Sequence, residues 1–124
     1  MKLFKTLLCI SLMLSGTLMG SQAVAADAKG TYATFGVTSC AVFLQELEAK
    51  SMKSAVHLNW LAGYITAYNA QTPNTHDILG KSDLLGAELW VKNYCVKNPL
   101  ENIADAAAVL MIELYPKRAT KAPN

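Results

Sequence analysis

Apolar residues recur at helical spacing in four stretches of this chain, and no competing stretch alternates as a strand would. Cys40, Phe43, Leu44 and Leu47 follow the i, i+3, i+4, i+7 spacing of one helical face, with Thr38 or Ser39 placed to cap it. This first helix is expected to end near Lys50 to Lys53. Ser54 can cap a second, in which Leu61, Tyr64, Ile65 and Tyr68 repeat the spacing and Leu58 extends the stripe, with Trp60 at its edge. Gly63 costs about 1 kcal/mol relative to alanine inside a helix, which predicts that it serves a close helix crossing. A polar stretch, Gln71 to Ser82, carries Pro73, Asn74 and Gly80 and reads as a loop.

Ser82 and Asp83 mark a third start, because a hydroxyl can satisfy a free amide and a carboxylate suits the positive end of the helix dipole. Leu84, Val91, Tyr94 and Cys95 lie near one face, with Leu85, Leu89 and Trp90 around it. Asn98-Pro99 should stop this helix and start the fourth, with Asn98 as cap, Pro99 in the first turn and Glu101 reaching back. Ile103, Ala107, Leu110 and Leu114 then share a face until Pro116, and Lys117 and Arg118 fall at the negative end of that dipole. The expected fold is an all-α, four-helix domain.

The first 25 residues change the picture. Lys2 and Lys5 precede an apolar stretch from Leu7 to Leu14, extending to Met19, and Ala23-Val24-Ala25 offers small residues for a cut. Residues 1–25 therefore read as a secretory signal, 26–37 as a flexible arm, 38–118 as the helical domain and 119–124 as a disordered tail. The apolar stretch is shorter than a spanning helix needs, so the expected product is periplasmic, with no membrane span. Cys9 falls inside the signal and reads as filler.

Without Lys2 and Lys5, nine basic residues face nine acidic ones. A balanced chain with no basic cluster lacks the footprint of a nucleic-acid binder. Behind an export signal, Cys40 and Cys95 are the two remaining cysteines, and in an oxidising compartment they are expected to form one disulfide. The chain-entropy model values that bond at roughly 4 kcal/mol.

Catalytic chemistry has little to stand on. His76-Asp77 could form a base and its orienting carboxylate, yet no third group accompanies it and no free cysteine remains as nucleophile, so a solvated loop pair is expected. His57 and His76 are isolated, which leaves no metal-ligand spacing. A non-enzyme without cofactor or metal is expected. Trp60, Tyr64, Tyr68, Trp90 and Tyr94 load the two central helices with aromatic rings. Core packing accounts for them, and a protein-binding patch is the functional alternative.

The segments TSCAVFL (Thr38 to Leu44) and NYCVKNPLENI (Asn93 to Ile103), with the signal and the aromatic second helix, resemble the HdeA/HdeB family of periplasmic acid-stress chaperones. The resemblance implies a small disulfide-bonded helical domain, a homodimer at neutral pH, that loosens in acid and binds unfolded periplasmic proteins. It carries Cys40 and Cys95 onto the family's disulfide positions and brings no catalytic residue. Two stretches, WLAGYITAYN (Trp60 to Asn69) and LENIADAAAVLMIELYP (Leu100 to Pro116), also look like features of periplasmic immunity proteins that inhibit type VI secretion amidases, which makes a secreted toxin the alternative partner. Acid loosening has a physical basis of its own: with all carboxylates neutral the exported chain carries about +12 at pH 2, a charge that repels itself.

Overall fold

A computed structural model describes residues 26–123. The expected signal, Met1 to Ala25 with Cys9, lies outside the described residues. The chain divides into a short N-terminal segment, described from residue 26 to 32, and a helical unit from residue 33 onward. In the first, the Asp27 carboxylate accepts from the backbone amides of Lys29 and Thr31 and from the Thr31 hydroxyl.

The helical unit contains α1 (Cys40–Glu48), α2 (Met52–Gln71), α3 (Leu84–Lys97) and α4 (Ile103–Leu114), followed by a 3-10 turn at Tyr115–Lys117. No strand occurs among the described residues, and the fold is all-α. Ser39 caps α1 as expected, its hydroxyl accepting from the Val42 amide at 3.3 Å.

The other three starts differ from the sequence reading. α2 begins at Met52 after Ser51, because Lys50 turns the chain with φ of 48° and Ser54 already lies in the first turn, its hydroxyl donating to the Ser51 carbonyl at 2.7 Å. At α3 the cap is Asp83 rather than Ser82: its carboxylate accepts from the Gly86 amide at 2.7 Å. α4 starts four residues later than Asn98-Pro99 predicts. Asn102 accepts from the amides of Ala104 and Asp105, while Asp105 reaches back to the Asn102 amide, a full capping box. Asn98 instead closes α3, its side-chain amide donating to the Tyr94 carbonyl.

Cys40 and Cys95 are disulfide-bonded, with Cα atoms 4.8 Å apart and both side chains fully buried. The bond joins the first turn of α1 to the last turn of α3. Beside it, the Cys40 amide donates to the Glu101 carbonyl at 2.8 Å and the Ile103 amide to the Thr38 carbonyl at 3.1 Å. α1, α3 and α4 are thus clamped at one end of the unit. Their shared core holds Phe43, Val91, Ile103, Ala107, Leu110 and Met111. α2 adds Leu61 and Ile65, and the α2–α3 loop adds Ile78, which is fully buried. Complete burial of one such side chain favours folding by about 1.5–3 kcal/mol.

Ile78 is held in place from two sides. Its amide donates to the Asn69 side chain of α2 at 2.8 Å. From the other side comes the C-terminal segment: the amides of His76 and Asp77 donate to the Ala119 carbonyl, and the Ala119 amide donates to the Asp77 carbonyl at 2.8 Å. Ala119, expected to open a disordered tail, is instead paired with the loop. Arg118 lies over the Tyr115 ring and donates to the Asn74 carbonyl and the Thr75 hydroxyl. Gly80 adopts φ of 61°, and a β-carbon there would come within 2.6 Å of the Lys117 carbonyl oxygen. Gly63, by contrast, is exposed, and a β-carbon on it would meet nothing within 4 Å, so it serves no helix crossing.

Candidate protein-binding site

The five aromatic residues singled out by sequence are all half-buried against the core. Four of them form two stacked pairs one helical turn apart: Trp60 with Tyr64 on α2 at 5.4 Å between ring centroids, and Trp90 with Tyr94 on α3 at 5.5 Å. The i, i+4 spacing that makes them neighbours also places their polar tips outward. The Trp60 indole N–H donates to the Phe35 carbonyl at 2.7 Å, and that of Trp90 donates to the Glu113 carboxylate at 3.2 Å. The Tyr94 hydroxyl donates to the Glu101 carboxylate, a contact that pushes the phenol above its ordinary pKa. Tyr68 packs against the core without joining either stack. These rings are half-buried members of the fold.

The contact with Phe35 also fixes part of the expected flexible arm. Gly36, with φ of 70°, brings the backbone over the Trp60 ring, and Val37 packs against the core. Residues 35–37 are docked.

The exposed apolar surface lies elsewhere. Leu85 and Leu89 are 64% and 57% exposed, and Val96 is 61% exposed on the same face of α3. With Leu47 of α1, the two leucines line a shallow groove of about 240 Å³ flanked by Glu88 and Lys92. The sequence reading set Leu85 and Leu89 beside the core stripe. Their one-turn spacing, off the face of Val91 and Cys95, was the available signal that they face outward.

His57 is the polar residue of the core. It is 9% exposed, lies edge-on to Phe43, and its Nε2 donates to the Glu46 carboxylate of α1. Lys53 reaches the same carboxylate at 3.4 Å. The His57 hydrogen bond, with Lys53 adding to it, holds the Glu46 carboxyl below the usual glutamate range against the opposing effect of burial. His57 Nδ1 is buried and has no hydrogen-bond partner. Sequence reading found no role for His57, since Glu46 is eleven residues away and the pair exists only because α1 and α2 fold back on each other.

His76 and Asp77 do not form a base and its orienter. His76 is exposed, and the Asp77 carboxylate accepts from the Leu79 amide at 3.0 Å and from the Asn69 side chain at 3.5 Å, closing the loop. Among the described residues no group of three His, Cys, Asp or Glu side chains could hold a metal ion.

Most of the carboxylates share one property. Asp27, Glu46, Asp77, Asp83, Glu101, Asp105 and Glu113 each accept a hydrogen bond, seven of the nine acidic side chains. They cap α3 and α4, close the central loop, hold two aromatic tips and pair the buried histidine. Comparison with family models, with curated proteins and with solved structures returns no match.

Proposed function

We propose that this protein is an exported, periplasmic binding domain that loosens in acid and then holds unfolded proteins, in the manner of the HdeA/HdeB chaperones its sequence resembles. The observation that carries the reading is the concentration of native tethers on carboxylates. Protonating a carboxylate weakens it as an acceptor and removes its attraction for dipoles and cations, and the Glu46 carboxyl, held below its ordinary range by His57 and Lys53, loses its hold on those two partners in this way as the pH falls. The chain gains net positive charge over the same range. The buried disulfide limits how far the loosened chain can expand, which leaves a compact species with apolar surface open to a client. Titration from pH 7 to pH 2 with a hydrophobic dye tests the first half of this reading. Dye binding should rise below pH 4 and be absent at pH 7; a flat signal contradicts it.

The exposed Leu85–Leu89 strip favours a second reading, in which the folded domain docks on a partner at neutral pH. A secreted amidase toxin is the partner the sequence suggests, and tight binding to such an enzyme at pH 7 would support that role.

A further inference from the structure

The helices are not held equally. The disulfide ties α1 to α3, and the paired backbone at Thr38 to Cys40 and Glu101 to Ile103 ties α4 to the start of α1. α2 shares neither restraint. Its polar tethers include the His57 and Lys53 contacts with Glu46, the Trp60 bond to the Phe35 carbonyl and the Asn69 bonds to the Ile78 amide and the Asp77 carboxylate. The two contacts at Glu46 have a titratable group on both sides, and His57 is the buried one of the two partners.

The His57 side of the contact uses one ring nitrogen. Because Glu46 accepts from Nε2, the neutral imidazole carries its proton there and leaves Nδ1 as a bare acceptor. A second proton has to go on Nδ1, which is buried and has no acceptor within reach. The cavity beside His57, lined by Phe43, Leu61, Val91 and Ile103, has a volume of about 10 Å³, room for one water at most. Protonating Glu46 removes the charge that both His57 and Lys53 meet. The other charged groups facing the pair are Lys53 of α2, itself a cation, and Glu88 of α3 on the cavity wall, while α4 presents the apolar Ile103. The Glu46 carboxyl is held below its ordinary range foremost by this contact, so its proton uptake as the pH falls favours the open state.

We propose that α2 is the element this fold releases in acid, with the His57–Glu46 contact as its catch. Release uncovers Phe43, Val91 and Ile103 on the disulfide-tied unit and Leu61 and Ile65 on α2. The use of that surface to hold an apolar stretch of an unfolded chain rests on the function proposed above.

The test is a pH titration of the full disulfide-bonded protein followed by amide NMR signals assigned to each helix. Native signals of α2 should disappear at a higher pH than those of α3 and α4. His57→Leu, which cannot donate to Glu46, leaves the carboxylate with Lys53 alone and should move the α2 midpoint up. Glu46→Gln removes the charge that His57 and Lys53 meet and should likewise move the midpoint up, which gives an independent reading if the first variant folds poorly. Loss of all helices at one midpoint, or an α2 midpoint unmoved by Glu46→Gln, overturns the inference. A protein that releases α2 in this order yet protects no client supports the inference and contradicts the chaperone reading, so the two fail separately.

Discussion

The Trp60 indole N–H donates to the carbonyl of Phe35, twenty-five residues earlier, at 2.7 Å, and this bond holds the segment before α1 against α2. Phe35 itself is 82% exposed, so its peptide bond is open to protease once the backbone can move. Trp60→Phe removes the donor while keeping an aromatic ring on Tyr64. Chymotrypsin should cut after Phe35 faster in this variant than in the parent, and unchanged cleavage would mean that Val37 packing holds the segment without the indole.

Breaking the disulfide should act once. Cys40→Ser and Cys95→Ser should each cost about 4 kcal/mol, and the double variant about the same, since the two side chains form one bond. Denaturant titration of the three variants measures it; additive losses would show separate roles for the two positions.

Two glycines should respond in opposite directions. Gly63→Ala is expected to stabilise the protein by about 0.5–1 kcal/mol, because the exposed helix interior gains propensity and the new methyl meets nothing. Gly80→Ala should destabilise by about 1–3 kcal/mol, because it combines a left-handed φ with a clash against the Lys117 carbonyl. Thermal melts of the pair decide this, and a stable Gly80→Ala protein would show that the C-terminal segment can shift away from the loop.

The start of α4 can be placed by substitution. Asn102→Ala removes the cap and should cost about 1 kcal/mol, whereas Pro99→Ala, outside any helix, should change stability by less than about 0.5 kcal/mol. The reverse ranking in urea titrations would return the start to Asn98-Pro99.

The capping error shows where the sequence was ambiguous. Asn98 to Glu101 and Asn102 to Asp105 both pair asparagine with an acid three residues on, and Pro99 at a first-turn position strengthened the earlier candidate. What decides is tertiary: the Glu101 carbonyl and the Ile103 amide are engaged by Cys40 and Thr38, so the backbone there runs extended and the helix waits for Asn102. The four apolar stripes and the disulfide were legible because each is a local spacing or a count. The His57–Glu46 contact and the docking of Phe35 on Trp60 were not, because one joins two helices across a turn and the other uses a backbone carbonyl, which has no sequence signature.

Glu46 gives a pH dependence with a definite sign. Its carboxyl is held below the ordinary value of 4.5, foremost by the His57 hydrogen bond, so its contribution to stability is present above that value and lost as pH falls through the lowered one. Glu46→Gln should therefore be less stable than the parent at pH 7, and the gap should narrow as the pH falls toward 3. A gap that stays constant across that range would mean that the contact does not depend on the carboxylate charge.

The central claim is that acid converts this folded domain into one that holds unfolded proteins. Light scattering of an acid-denatured client, with and without the disulfide-bonded protein at pH 2.5 and at pH 7, tests it most directly. Aggregation should be suppressed at pH 2.5 and not at pH 7, and a protein reduced and alkylated at Cys40 and Cys95 should suppress it poorly. Equal aggregation with and without the protein at pH 2.5 would contradict the claim.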